Sequence, residues 1–272
     1  MLTGLLYKDI INYISMYHRR NNLTEAAIGV FAFSWIAWFV FPVVFLIGSL
    51  VFKFSAMQAV IADDRFWWAF FISLASAFVV ILLTALFVVP MAYLLTYGDF
   101  RGKKFMETLL IDIPQTLPPV AVGVIYVFAF GVNSPIDLAF TFAAVVVAKL
   151  IVSAPFALGY VLRKFREIRE SKIDLVARSL GADTRMVIFR ILIPIARQDI
   201  VAGLTLAWAR AMGEFGGSLI FAGVIAYKTE ILPTYANRVV QTDPILALGA
   251  TAIMVLFAMV ALTTARMVLA KK

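Results

Sequence analysis

A single histidine, no cysteine and sixteen carboxylates limit the chemistry available to this chain of 272 residues. His18 has no second imidazole to share a metal with, and the lack of thiols removes disulfides, thiolate metal sites and a cysteine nucleophile. Neither a His-Glu-x-x-His stretch nor an aspartate-rich motif is present. A nucleotide-cradling loop needs four residues between its glycines, then Lys and a hydroxyl residue. The nearest stretch, Gly98-Asp-Phe-Arg-Gly102-Lys103, has three between its glycines and continues with Lys104. The sequence therefore predicts no ATPase site, no metal site, no cofactor and no covalent catalysis in this chain.

What remains are four ionisable residues in apolar surroundings: Asp112, Lys149, Arg210 and Glu214. Such groups cost roughly 2.5–3.5 kcal/mol each in hydrocarbon, so they carry function or hold a partner. Arg210 and Glu214 are four apart, within ion-pair reach on one helix face. One reading gives Lys149 or Arg210 to an anion route; the other pairs Arg210 with Glu214, and Lys149 with Asp112 or Glu214, as bundle-holding contacts. Gly213 and Gly217, also four apart, permit close helix contact. Pro114, Pro118 and Pro119 remove backbone donors and predict a bend or gate, where Gln115 and Thr116 can offer donors to an oxyanion.

The elements that must position these residues follow from composition. The chain is 63% hydrophobic and 15% charged, with a mean hydropathy of +0.95, whereas soluble domains are about 25% charged. Crossing a bilayer takes about 20 apolar residues, and six such spans can be drawn: 26–52, 66–97, 105–132, 138–162, 195–225 and 244–268. The first run is read as a span, being too long for a cleavable leader. Residues 1–25 place Leu5, Ile10, Ile14 and Tyr17 near helical spacing, as in an amphipathic helix at a membrane surface. Of the 24 Lys and Arg, 18 fall in the termini and the even-numbered connections, and only Lys53, Arg65, Lys228 and Arg238 on the other side. That asymmetry predicts cytoplasmic N and C termini. It also reads the +8 net charge as cytoplasmic loops facing a lipid bilayer, with no nucleic-acid partner expected. Trp67 and Trp68 fit the interfacial aromatic belt.

One connection is unlike the rest. Residues 163–193 form a long polar cytoplasmic loop, a length that usually serves to meet another molecule. A short helix over 171–180 would show Leu175, Val176, Ser179 and Leu180 on one side, and Gly181 would stop it in a left-handed turn. Asp183 or Thr184 can cap a second short helix carrying Met186, Val187 and Phe189, and Pro194 suits the start of the next span. Two short helices about a glycine make a knob that suits a partner's groove.

The run Val176-Ala177, then Gly181-Ala182, then Ile191-x-Ile193-Pro194 resembles the EAA loop of ABC-importer permeases. The family's glutamate position is Leu175 here, with Asp174 just before it, and its first alanine is Val176. Ala209-Arg210-Ala211-Met212-Gly213-Glu214-Phe215-Gly216-Gly217 resembles the Arg-x-x-Gly-Glu-Phe-Gly segment of molybdate, tungstate and sulfate permeases. Ile113 through Gly123 resembles the double-proline third span of that group, and 140–156, with Ser153, its fourth span, although Lys149 stands where an uncharged polar residue is expected. The resemblance covers roughly 66–225 and implies an all-α integral membrane protein of the type I ABC-importer permease fold, closest to molybdate or tungstate permeases. It further implies a homodimer of this chain, two cytoplasmic P-loop ATPase subunits holding ATP and Mg, and an extracytoplasmic oxyanion-binding protein. Asp174, Leu175, Val176, Ala177, Gly181, Ala182, Ile191 and Pro194 would form the coupling loop. Gln115, Thr116, Pro118, Pro119, Lys149, Ser153, Arg210, Gly213, Glu214 and Phe215 would be candidates for the path or gate. A sulfate or thiosulfate permease is the alternative within the group. A secondary oxyanion transporter is the alternative outside it, and it leaves the long inner loop unexplained.

Overall fold

A computed structural model describes residues 2–52, 54–131 and 134–270, with side chains for 24–49, 54–131, 134–264 and 267. Every regular element among them is helical: α1 (Leu2–Phe52), α2 (Phe54–Ile61), α3 (Asp64–Tyr97), α4 (Lys103–Glu107), α5 (Ile113–Thr116), α6 (Pro119–Phe130) and α7 (Phe142–Glu170). There follow α8 (Ile173–Ser179), α9 (Thr184–Met186), α10 (Ile193–Met212), α11 (Gly216–Phe221), α12 (Leu232–Thr242) and α13 (Pro244–Ala270). The chain falls into two compact units, Met1–Phe54 and Ser55–Lys272. In the first, α1 runs through residue 25 without a break. The amphipathic face expected over 1–25 rests on side chains outside the described residues.

Among the described residues, four helices are long and apolar enough to cross a membrane: 24–49 of α1, α3, α7, and 244–264 of α13. A fifth is added if the pair Lys103–Thr116 and Pro119–Phe130, bent by 114°, is taken as one span. The expected third span is thus not one straight helix. Nor is the expected fifth. α10 stops at Met212, where Gly213 leaves helical geometry, and α11 begins only at Gly216. Carrying Arg197, Asp199 and Arg210, α10 also has no 18-residue stretch with fewer than three charges, as each of the four has.

Proline accounts for two further departures from regular helix. The i→i+5 turns Thr108–Asp112 and Val187–Leu192 each end just before an Ile-Pro pair, Ile113-Pro114 and Ile193-Pro194. A proline inside a helix leaves the carbonyl four residues earlier unpaired and crowds it. Widening the preceding turn relieves that crowding, with the Ile113 N–H reaching Thr108 O and the Ile193 N–H reaching Ile188 O. The second widening joins α9 to α10 into nearly continuous helix, so the expected second short helix of the loop is the first turn of the next long one.

α3, α7 and α10 form the centre of the second unit. At the end nearest the 163–193 segment, Leu95, Val161, Phe165, Val187 and Leu192 are buried together. At the opposite end, Phe66 and Tyr235 meet edge to face at 5.6 Å. There the Tyr235 hydroxyl donates to Asp63 Oδ2 at 2.6 Å, and the buried Glu230 carboxylate accepts from Arg65 and from Arg238. Burial, and then the Asp63 contact, push the Tyr235 phenol above its ordinary range.

α7 and α10 approach closely at Gly203, where an added Cβ would lie 3.0 Å from Tyr160 Cβ and 3.1 Å from Ala157 Cα. Gly159, by contrast, faces open space. Gly203→Ala is therefore expected to lower the thermal unfolding midpoint in detergent, with a net cost of about 1–2 kcal/mol after the gain in helix propensity. Gly159→Ala should leave the midpoint unchanged or raise it.

Candidate translocation gate

Two interrupted helices meet in the middle of the second unit. The chain leaves α5 through Leu117 (φ −67°, ψ 131°) and Pro118 (φ −58°, ψ 127°), both extended, before α6 starts at Pro119. It leaves α10 through Gly213 and Phe215 before α11. The two breaks lie against each other through glycines. A Cβ on Gly216 would sit 3.0 Å from Val120 N, one on Gly217 3.2 Å from Pro119 O, and one on Gly123 2.9 Å from Gly217 O. Contact this close between backbones requires residues without side chains.

Glu214 holds the second break together. Its carboxylate is fully buried. It accepts from the Gly217 N–H at 2.7 Å and the Ser218 N–H at 3.1 Å, and from the Ser218 hydroxyl. The first-turn donors of α11 are thereby satisfied by a negative charge, which the helix dipole also favours. The pairing of Arg210 with Glu214 expected from their spacing does not occur, because the helix ends between them and turns the carboxylate forward onto α11. Among the described residues, neither Arg210 nor Asp112 enters an ion pair.

Lys149 is fully buried in α7. Its ammonium donates to Ser76 Oγ at 2.8 Å and Ser73 O at 3.3 Å, tying α7 to α3. Glu214 acts on it electrostatically without an ion-pair contact, and Asp112 is exposed elsewhere. The expected ion pairs of Lys149 are thus replaced by serine and carbonyl oxygens. Ser153 is buried as well, its hydroxyl spent on Lys149 O at 2.6 Å. Thr116 gives its hydroxyl hydrogen to Ile113 O at 2.9 Å, whereas Gln115 is exposed with an uncommitted amide.

Beside that amide is a recess of about 230 Å³ lined by Gln115, Pro155, Phe156, Gly159, Tyr160 and Arg163. The Arg163 guanidinium lies 5.0 Å from the centre of the Tyr160 ring, a cation–π contact that restrains it. Planar guanidinium and amide donors around a small recess suit a tetrahedral oxyanion. Counting charges along the sequence placed Arg163 only among loop cations; its position about one turn beyond Gly159, on the same recess as Gln115, is visible only in the fold. The larger recess between α3, α5 and α7, about 450 Å³, is lined mainly by residues such as Phe87, Met91 and Leu150. It suits hydrocarbon.

The segment expected to couple forms a projection with one exposed face. α8 spans Ile173–Ser179, Gly181 takes φ +91°, and Asp183 Oδ1 accepts from the Met186 N–H at 2.7 Å. The helix, glycine stop and cap therefore stand where the sequence put them. Leu175, Val176 and Leu180 are exposed, Leu180 to 83%, as is Phe189. Asp174 instead points inward and is buried. Ala182 and Ile191 lean on the buried cluster at this end, and Pro194 is exposed.

Residues 89–271 match the family described as binding-protein-dependent transport system inner membrane component. The molybdate/tungstate transport system permease protein WtpB of Pyrococcus abyssi is 34% identical over 197 residues, 72% of this chain and 76% of that protein. The molybdenum transport system permease protein ModB of Escherichia coli K12 is 30% identical over 192 residues, 67% and 83% of the two chains. A chain of a bacterial alginate ABC transporter, solved with its alginate pentasaccharide-bound periplasmic protein, superposes with a TM-score of 0.70. That match has 16% identity and covers 91% of this chain and 93% of the other, a likeness of fold.

The arrangement separates two possible counter-charges for Glu214. In a double-mutant cycle of thermal stability, Lys149→Met and Glu214→Gln should couple by about 0.5–1 kcal/mol, the double variant losing less than the sum. Arg210→Ala and Glu214→Gln should add without coupling.

Proposed function

The chain belongs to the binding-protein-dependent transport system inner membrane component family, and from that premise we infer that it is the membrane-spanning subunit of an ATP-driven importer of molybdate or tungstate. The molybdate/tungstate assignment rests on the named relatives, and it is favoured over the sulfate alternative. The chain is a multi-pass inner-membrane protein. Six crossings are proposed for it: α1, α3, the bent run α4–α6, α7, α10 with α11, and α13, with both termini in the cytoplasm as the charge asymmetry supports.

The exposed projection is the observation that carries the coupling part of this reading. An apolar surface of Leu175, Val176, Leu180 and Phe189 on a segment rich in arginine marks an interaction site. The proposed occupant is a P-loop ATPase, two of which would bind a homodimer of this chain and supply ATP and Mg. An external binding protein would deliver the oxyanion. Closure of the ATPases would press the projections and open or shut the facing breaks at Leu117–Pro118 and Gly213–Phe215. The recess at Gln115 and Arg163 would then offer the anion a brief stop on the cytoplasmic side of the gate, at low affinity, so that it can leave.

Purification of the tagged chain in mild detergent should recover a soluble P-loop ATPase, and Leu180→Asp should abolish that recovery while leaving the chain folded. Recovery of the chain alone from wild type would put the secondary-transporter reading in its place. In proteoliposomes of the complete complex, Arg163→Gln should lower the rate of molybdate uptake about tenfold, the loss of one charge-assisted contact. An unchanged rate would remove the recess from the path.

A further inference from the structure

α8 has two faces with different partners. Leu175, Val176, Ser179 and Leu180 face outward. Asp174, Ala177 and Arg178, at spacings of three and four, share the other side, where Asp174 is buried and Ala177 and Arg178 are half-buried. Both charged groups of this inner face meet the end of α3. Arg178 Nη2 donates to the Tyr93 hydroxyl at 2.9 Å, and its Nη1 reaches Thr184 Oγ1 at 3.4 Å. Asp174 lies beside the Tyr97 phenol. Tyr93 and Tyr97 stack with ring centres 4.9 Å apart. Arg169, just before α8, donates to Thr96 O and lies over the Tyr97 ring at 5.6 Å.

We propose that Asp174 and Arg178 latch the α8 projection to Tyr93 and Tyr97, so that a push on the projection is carried into α3 as well as into the helices on either side of α8. The reason lies in connectivity. α7 and α10 are joined to the projection by the chain itself, whereas α8 meets α3, some eighty residues upstream, through these side chains. α3 is also the helix that spans from this end to the other, 34 residues or about 50 Å long. At its far end Ser73 Oγ accepts from the Leu232 N–H at 2.8 Å and Arg65 binds Glu230. A displacement received at Tyr93 and Tyr97 therefore has a continuous helical route, through Pro90, to α12.

One bond of the latch is loose. Asp174 Oδ1 and the Tyr97 hydroxyl are both buried and act on each other, yet they fall short of good hydrogen-bond geometry. Buried polar atoms without partners are uncommon, and a small inward shift of α8 would join these two. Pressure on the outer face of α8 acts in that direction. The outer residues thus hold the partner and the inner ones transmit its movement.

This inference rests on the ATP-driven reading above, and one experiment separates the two. The complete complex, with ATPase and binding protein, is reconstituted in proteoliposomes, and ATP hydrolysis and molybdate uptake are measured together. Tyr93→Phe removes one hydroxyl and keeps the stack; Arg178→Met removes the charge that meets that hydroxyl. Each variant should recover the ATPase fully and hydrolyse ATP, while molybdate carried per ATP falls about three- to thirtyfold. Wild-type uptake per ATP in the Tyr93→Phe and Arg178→Met variants would overturn the latch alone. Loss of ATPase recovery in either would also overturn it, by making these residues part of the docking surface. Failure of the wild-type complex to take up molybdate with ATP would defeat the transport reading itself.

Discussion

Backbone N–H and C=O groups that lose a helical partner inside a bilayer find no water to replace it, so each must be satisfied within the protein. Among the described residues, Pro42, Pro90 and Pro155 lie within continuous helices, and four further places depart from regular α-helix at or near membrane depth. Before Pro114 and Pro194 the helix widens by one residue, so that the N–H ahead of the proline still finds a carbonyl. At Leu117–Pro118 the helix stops, and the next starts with a proline that has no donor to satisfy. At Gly213–Phe215 it stops and restarts with real donors, and there a carboxylate is buried to receive them. The intramembrane charge of Glu214 is thus a consequence of the break it caps. Its motif, Gly-Glu-Phe-Gly, reads as stop, cap, spacer and close-contact glycine.

Buried charge follows the same logic elsewhere. Lys149 has its ammonium on a carbonyl and a hydroxyl, with Glu214 acting on it at longer range. Glu230 is balanced by two arginines where α12 meets the start of α3. Lys149 is thereby not free to solvate an anion on its own account. Half-buried Arg210, which is in no ion pair, and exposed Arg163 differ in that respect. A path for an oxyanion that must release its cargo is better served by few, weakly held donors near the gate than by a deep fixed cation, since tight binding midway would trap the substrate.

Periodicity and punctuation made the projection legible in advance. Gly181 and Asp183 act through their own backbone conformation and their own side chain, and local signals of that kind survive folding unchanged. The buried side of α8 was illegible, because Asp174 and Arg178 take their meaning from Tyr93 and Tyr97, eighty residues away. Length and hydropathy located the apolar runs but not the breaks inside two of them. Pro118, Pro119 and Gly213 announced a disturbance without saying whether the helix would bend, widen or end. The Arg210–Glu214 spacing misled for the same reason: a four-residue interval implies contact only if the helix continues through it.

Stiff and compliant parts are divided in a way that bears on how a transporter can work at all. α3 and α7 are long helices joined by Lys149 and by a broad buried cluster, and they present little that can yield. The two breaks are the soft positions, and they touch each other through Gly216, Gly217 and Gly123, where no side chain intervenes. Hinges of this kind absorb large backbone changes over a few residues while the rods between them stay intact. Because the breaks are in contact, one cannot open without moving the other. α8 is connected to both by different routes, since α10 leads directly to Gly213 and α7 carries Pro155 against the recess at Gln115. Movement at one break is accordingly tied to movement at the other.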